Sequence, residues 1–301
     1  MNFLEEINIA LANTTIFGVF FFIIGACIGS FYNVVVFRYP KMIDSENAKE
    51  IKEWLEDKKI KSPNEIEQYI TSVNLSFPSS HCYSCNNALK WYHNIPIFSY
   101  LFLRGKCGFC KTKFSIQYPI VELFSGIILL TSYLIFFSKF ALLGFILASL
   151  FFMLGYLLLL IDIKTMFLPD RLTYSLMWIG IISSVFSIRI IDITLNNSIF
   201  GAVIGYLILW IFSTVGKKLK GVDVMGGGDL KLVAAIGAFT GVAGAVFTIF
   251  ASPFIGIFSW LYFKISKNED VQFPYGPSLV LSSWIYLFYG KEIYKYLNIL
   301  I

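Results

Sequence analysis

The chain has 301 residues, of which 57% are hydrophobic and only 14% charged, with a mean hydropathy of +0.71. A soluble domain carries about 25% charged residues, so the composition excludes an ordinary water-soluble protein and points to a polytopic membrane protein. The formal net charge of +5 follows Lys and Arg placed around the apolar runs, and nothing in it indicates nucleic-acid binding.

Apolar runs near the ~20 residues that cross a hydrocarbon core as helix recur along the chain. They predict about eight spans, near 16–36, 118–137, 140–161, 172–190, 198–215, 230–240, 242–263 and 275–289. The sixth is short and Gly-rich, which reads as a half-helix. The first run is preceded by Glu5 and Glu6 rather than by basic residues, and no small-residue cleavage site follows it. It therefore reads as a retained helix and not as a signal peptide. The expected fold is an all-α polytopic membrane protein with a small cytoplasmic zinc-binding loop domain between its first and second spans. The expected division is 1–37 for the first helix, 38–117 for the four-cysteine domain and 118–301 for the remaining spans.

Basic residues orient this bundle. Residues 38–113 hold 12 of the 24 Lys and Arg. Alternation through eight spans puts eight more on the same side and only Lys139, Arg189, Lys291 and Lys295 opposite. Cytoplasmic loops carry the excess of Lys and Arg, so the large loop is expected in the cytoplasm, with both chain ends outside. Within that loop Ile51, Trp54, Leu55 and Ile60 recur at roughly helical spacing among Lys and Glu, the pattern of an amphipathic surface helix. Ser62-Pro63-Asn64-Glu65 has the form of a capping box with Pro at the first helical position. The insertion is too small to hold a large core, and a metal or the membrane surface is expected to support it.

Cys82-x2-Cys85 and Cys107-x2-Cys110 are separated by 21 residues. Paired knuckles of this kind are a tetrathiolate zinc signature, and four thiolates make a closed structural shell without an open catalytic position. Two disulfides are the alternative, which a cytoplasmic location disfavours. Cys27, inside the first span, reads as a small packing residue. His81 and His93 flank the knuckles and are expected near the metal or in solvent rather than as ligands.

Asp162 and Asp229 sit where long apolar stretches break off, in Ile161-Asp162-Ile163-Lys164 and Gly226-Gly227-Gly228-Asp229-Leu230-Lys231. A carboxylate at the centre of a membrane helix costs roughly 2.5–3.5 kcal/mol on insertion scales, so an ionisable residue near the bilayer is a functional candidate. Two such groups at one depth suit an aspartyl-type hydrolase, because neighbouring carboxylates share one proton and so supply both an acid and a base. Each also has a plainer reading, as a solvated helix end or a partner for Lys164 or Lys231.

The ordered motifs resemble the type IV prepilin peptidase family, membrane aspartic proteases of the GxGD class. The resemblance begins at Gly29-Ser30-Phe31-Tyr32-Asn33 and continues through the four cysteines, Trp91-Tyr92-His93-Asn94-Ile95-Pro96, Leu103-Arg104-Gly105-Lys106 and Tyr118-Pro119-Ile120-Val121-Glu122. It extends to Leu168-Pro169-Asp170, Met225-Gly226-Gly227-Gly228-Asp229 and Pro274-Tyr275-Gly276-Pro277. His93 departs from the pattern, since an acidic residue is common there.

The resemblance implies that Asp162 and Asp229 are the catalytic dyad, with Asp170 and Asp223 supporting or solvated. It implies a prepilin or pseudopilin substrate whose short basic leader is cut at the cytoplasmic face of a bacterial inner membrane. It implies in addition N-methylation of the new amino terminus by S-adenosylmethionine, with Gly105 as a candidate contact to the donor. Glu122 is expected to pair with a basic residue of the cysteine loop or to anchor at the interface. Two readings of other classes are a non-catalytic scaffold of a pilus or secretion assembly and a proton-coupled transporter. Oligomeric state is not legible in the chain.

Overall fold

The computed structural model describes residues 14–60, 64–185, 193–221, 225–267 and 273–299. Its helices are α1 (Thr14–Asp57), α2 (Phe98–Phe102), α3 (Gln117–Ser132), α4 (Ser138–Thr165), α5 (Asp170–Val185), α6 (Leu195–Lys220), α7 (Gly227–Lys267) and α8 (Gly276–Ile299), with a π-helical stretch Tyr133–Phe137 joining α3 to α4. Isolated antiparallel bridges are the only sheet-like pairing among the described residues. Five helices there are long and apolar enough to cross a membrane: Thr15–Asp57, Gln117–Phe137, Leu142–Thr165, Leu195–Leu219 and Gly227–Leu261. The fold is therefore that of an all-α, multi-pass membrane protein. The expected Ser62 and Pro63 cap and Asp223 lie outside the described residues.

Two compact units divide the chain, Thr15–Leu130 and Thr131–Ile301. In the first, α1 runs unbroken past the expected end of the opening span and takes in the anticipated surface helix. Pro40 lies inside it and forfeits one backbone hydrogen bond, but the Lys, Glu and Ala residues that follow are good helix formers. The extension anchors the segment after it. Arg38 donates to the carbonyls of Asn74, Leu75 and Pro78 at 3.0, 3.3 and 2.6 Å. The Ser45 hydroxyl accepts the Thr71 N–H at 2.9 Å and donates to the Thr71 carbonyl at 3.1 Å. A small-residue seam brings α1 against α3: a Cβ on Gly29 would lie 2.8 Å from the Glu122 Cα. Gly25 and Gly29 form the Gly-x3-Gly spacing that lets membrane helices approach closely. The opposite face of α1 exposes Ile16, Val19, Phe20 and Ile23, the i, i+3, i+4, i+7 stripe of a surface turned to lipid.

In the second unit α7 is central and packs against α5, α6 and α8. Its apolar window is 78% buried, whereas that of α6 is 22% buried, so α6 is peripheral and exposes Phe200, Val203, Leu207, Trp210 and Ile211. Gly201 of α6 and Gly237 of α7 touch backbone to backbone, each leaving no room for a Cβ on the other. The helix α7 is broken at Gly241, which adopts φ 74° and ψ −175°, at the expected boundary between the half-helix and the span after it. Two adjacent residues at the start of α6 repair the break. Asn197 Oδ1 accepts the Val242 N–H at 3.1 Å, and the Ser198 hydroxyl donates to the Ala238 carbonyl at 2.6 Å. Those are the two backbone groups that an unbroken helix would have joined to each other.

Candidate active site and metal centre

Asp162 occupies the last turn of α4. Met166 ends that helix in the left-handed conformation, its N–H bonded to the Asp162 carbonyl at 2.8 Å, and Leu168-Pro169 then lead into α5. The Asp162 side chain is turned inward and is only 4% exposed. Its Oδ2 accepts the backbone N–H of Gly276, the first residue of α8, at 2.9 Å. A helix start presents unpaired N–H groups and partial positive charge, so a carboxylate there is well placed. The approach requires glycine, because a Cβ on residue 276 would lie 2.7 Å from that oxygen.

Asp229 lies in the first turn of α7, after Gly226-Gly227-Gly228, with its N–H turned onto the Gly226 carbonyl at 3.2 Å. It is half-buried. Asp162 and Tyr275 are both within electrostatic reach of its carboxylate. The Tyr275 hydroxyl is in turn fixed by Ser252 at 2.7 Å. Residues far apart in sequence thus converge where α4 ends and where α7 and α8 begin. Two carboxylates in one partly dry site can hold a single proton between them, one arm activating water and the other donating to a carbonyl.

Lys231 does not neutralise this pair. Its ammonium lies 2.7 and 2.8 Å from the two oxygens of Asp170, linking the first turn of α7 to that of α5. Leu168 also packs under Gly228. Sequence reasoning named Asp170 as supporting or solvated and Lys231 as a possible partner of the aspartates, but not their pairing with each other, and it assigned no role to Gly276 or Tyr275. For Gly276 the only signal was its motif, because its part is played by a backbone N–H.

The four cysteines are reduced, and their sulfurs all lie within 4.8 Å of one another. The two knuckles are built alike. The Cys82 N–H bonds the Asn87 carbonyl and the Asn86 N–H bonds the Cys82 carbonyl, at 3.0 and 2.8 Å. Cys107 repeats this with Thr112 and Lys111, at 2.8 and 3.1 Å. Asn86 and Lys111, each just after the second cysteine of its knuckle, share a left-handed φ. Metal–sulfur bonds of about 2.3 Å in a tetrahedron place sulfurs about 3.8 Å apart, and Cys82 and Cys110 stand at 3.7 Å. The donor set fits one tetrahedral ion. Thr112 lies 3.2 Å from the Cys110 sulfur, and its hydroxyl and N–H hold that thiol down at about 6. His81 and His93 are not among the clustered donors: His81 meets the Ser79 carbonyl at 2.9 Å, and His93 packs on Phe109 and Gly108.

Beside the knuckles the first unit encloses a cavity of about 620 Å³, within the size range of small-molecule sites. Gly105 lines it with a φ of 68° and stands against the Tyr100 ring, 2.8 Å from where a Cβ would sit. Glu122 lines it too, and its carboxylate accepts the Ile97 N–H at 2.7 Å.

Comparison with known proteins gives the family. The model described as the type IV leader peptidase family matches residues 148–261, and that of the bacterial peptidase A24 N-terminal domain matches residues 23–136. A prepilin leader peptidase/N-methyltransferase of Neisseria gonorrhoeae is 36% identical over 92% of both chains. Proteins with the same description from Xanthomonas campestris pv. campestris and Pseudomonas aeruginosa are 34% and 35% identical, each over 90% of both chains. No solved structure matches the chain.

Proposed function

Because the chain belongs to the type IV leader peptidase family, we propose that it is a membrane aspartic endopeptidase that removes the leader of type IV prepilins or pseudopilins and then methylates the exposed amino terminus. The observation that carries the peptidase reading is the convergence of Asp162 and Asp229 at three helix ends. In this mechanism one carboxylate of the pair, ionised, takes a proton from water as the water attacks the scissile carbonyl. The other, protonated, donates to the carbonyl oxygen and stabilises the tetrahedral adduct. The proton gained from water then passes to the departing amine. Gly276 and Tyr275 orient the pair, and the flexible glycines ahead of Asp229 let a substrate backbone come close.

The substrate is a chain with a short basic leader followed by an apolar helix, which lies in the bilayer like a neighbouring span. The division of 20 basic residues to 4 in the sequence supports cleavage at the cytoplasmic face of the bacterial inner membrane. Cys82, Cys85, Cys107 and Cys110 hold a structural zinc ion that pins the two knuckles together. The relatives' description as N-methyltransferases supports the second activity. S-adenosylmethionine, whose sulfonium supplies the methyl group, is received in the cavity next to the knuckles, with Gly105 in its wall. Neither a scaffold nor a transporter accounts for membership of a peptidase family.

Purified protein incubated with a prepilin and the methyl donor tests the reading, with the product mass showing both the cut and the added methyl group. Cleavage immediately before the mature helix is expected. An intact prepilin after incubation with correctly folded protein overturns the peptidase reading, and a cleaved but unmethylated product overturns the second activity.

A further inference from the structure

The cavity in the first unit has one acidic group, and its setting is unusual. Among the residues lining it Glu122 is the only carboxylate, and that residue is 8% exposed. It is placed from both sides. Gly29 brings α1 against the Glu122 Cα, and the Ser30 hydroxyl is within hydrogen-bonding reach of the carboxylate. From the loop, Ile97 donates its N–H at 2.7 Å.

Ile97 makes that bond from a conformation that β-branched residues avoid, φ 63° and ψ −54°. The N–H of Phe98 closes onto the Pro96 carbonyl at 2.6 Å, so Pro96-Ile97-Phe98 is a γ-turn of the strained hand. Strain of this kind persists where surrounding structure enforces it, and it clusters at binding sites. Of the cations that line the cavity, Arg38, Lys41 and Lys106, the first two are engaged elsewhere. The Arg38 guanidinium holds three loop carbonyls, and the Lys41 ammonium sits over the Phe37 ring at 4.6 Å. A carboxylate has about four lone-pair sites, and one N–H with one hydroxyl leaves it short of partners. A buried anion so placed is completed by a cation.

We propose that Glu122 binds the α-amino group exposed by leader cleavage and takes its proton as that amine is methylated. This rests on the methyltransferase reading above and adds the group that receives the amine. The balance is simple. The ammonium gives one proton to the Glu122 carboxylate, and the freed nitrogen lone pair forms the bond to the methyl carbon. The carbon–sulfur bond breaks with its electron pair left on sulfur, so the sulfonium donor departs as a neutral thioether. The product leaves as a methylammonium, and the Glu122 proton returns to solvent.

The test is Glu122→Gln, which keeps the side-chain shape and an acceptor for Ile97. Methyl transfer should fall about 100-fold, the scale of a lost general base, while the same preparation still cleaves prepilin, which shows that it is folded. A second arm reads binding alone. A synthetic peptide with the mature amino terminus should bind the wild type about tenfold more tightly with a free amine than with an acetylated one, and E122Q should lose that preference. Wild-type methylation by E122Q, or a free-amine preference that survives the substitution, overturns the role of Glu122 alone. A wild type that cleaves but never methylates overturns both the role and the reading beneath it.

Discussion

Asp162 and Gly276, 114 residues apart, meet through one hydrogen bond of 2.9 Å from the glycine N–H to the carboxylate. The bond fastens the end of α4 to the start of α8 at one of the two carboxylates of the proposed dyad. Gly276→Ala would put a methyl carbon 2.7 Å from the accepting oxygen, so the carboxylate or the helix must move. Misplacement of a reacting group by about 1 Å can cost about 100-fold in rate. Gly276→Ala should therefore lower kcat for prepilin cleavage by about 10- to 100-fold while the protein still inserts and resists proteolysis like the wild type.

Asp162→Asn and Asp229→Asn each remove one carboxylate of the proposed dyad. Either substitution should abolish leader cleavage in a gel-shift assay without affecting membrane insertion. The double variant should be no worse than either single one, because members of one catalytic unit are strongly non-additive. Full processing by Asp162→Asn would end the dyad proposal.

How much of this was legible beforehand depended on where the signal resides. Asp162 and Asp229 stand out because a carboxylate interrupting an apolar run is costly and rare. The four cysteines stand out through their spacing, and Gly241 through its place between a short Gly-rich apolar run and a longer one. Gly276 and Ile97 offer backbone N–H groups, which every residue but proline has, so side-chain chemistry does not mark them, and Gly276 was visible only through its motif. The charged stretch after Arg38 reads by composition as a loop carrying a separate surface helix, yet it continues the opening span as one helix to Asp57, since charge density reports exposure and not backbone conformation. The partner of Lys231 was ambiguous for a related reason: proximity to Asp229 in sequence says little about direction, and the ammonium turns to Asp170, 61 residues away.

The Asp170–Lys231 pair is exposed, with side chains 52% and 31% accessible, and such pairs contribute about 0–1 kcal/mol to stability. Its value lies in register, since it joins the first turn of α5 to the turn that carries Asp229. Lys231→Met should leave thermal stability nearly unchanged and slow cleavage by several-fold. Exchange of the two charges, Asp170→Lys with Lys231→Asp, should recover most of the loss. Equal rates in Lys231→Met and wild type would show the pair to be incidental.

Metal at the cysteine knuckles should be lost on acidification, because each thiolate ligand must be deprotonated and protons compete with the ion. Cys110 is held at about 6 by the Thr112 hydroxyl and N–H, below the ordinary thiol value, so its thiolate survives down to mildly acidic pH and disappears as pH falls through that value. Thr112→Val removes the hydroxyl and raises the thiol, which should move metal release, followed with a chromogenic chelator, to higher pH. Cys107→Ser should release the ion at neutral pH and expose the loop to protease. Prepilin cleavage should survive that loss, since none of the four cysteines belongs to the dyad.

Asn197 and Ser198 close the break that Gly241 makes in α7, taking up one N–H and one carbonyl inside the second unit. Without them two backbone groups would face an apolar interior, at about 1–3 kcal/mol each. Ser198→Ala should therefore lower the unfolding temperature in detergent, and the Asn197→Ala, Ser198→Ala pair should lower it further. Gly241→Ala tests the same device from the other side, since its φ of 74° is one that alanine adopts only at a cost of about 1 kcal/mol or more. A straight α7 would satisfy both groups by itself and would tolerate all three substitutions. Loss of stability in each therefore distinguishes a built-in break, which divides α7 into a half-helix bearing Asp229 and a longer span, from a continuous helix that merely bends.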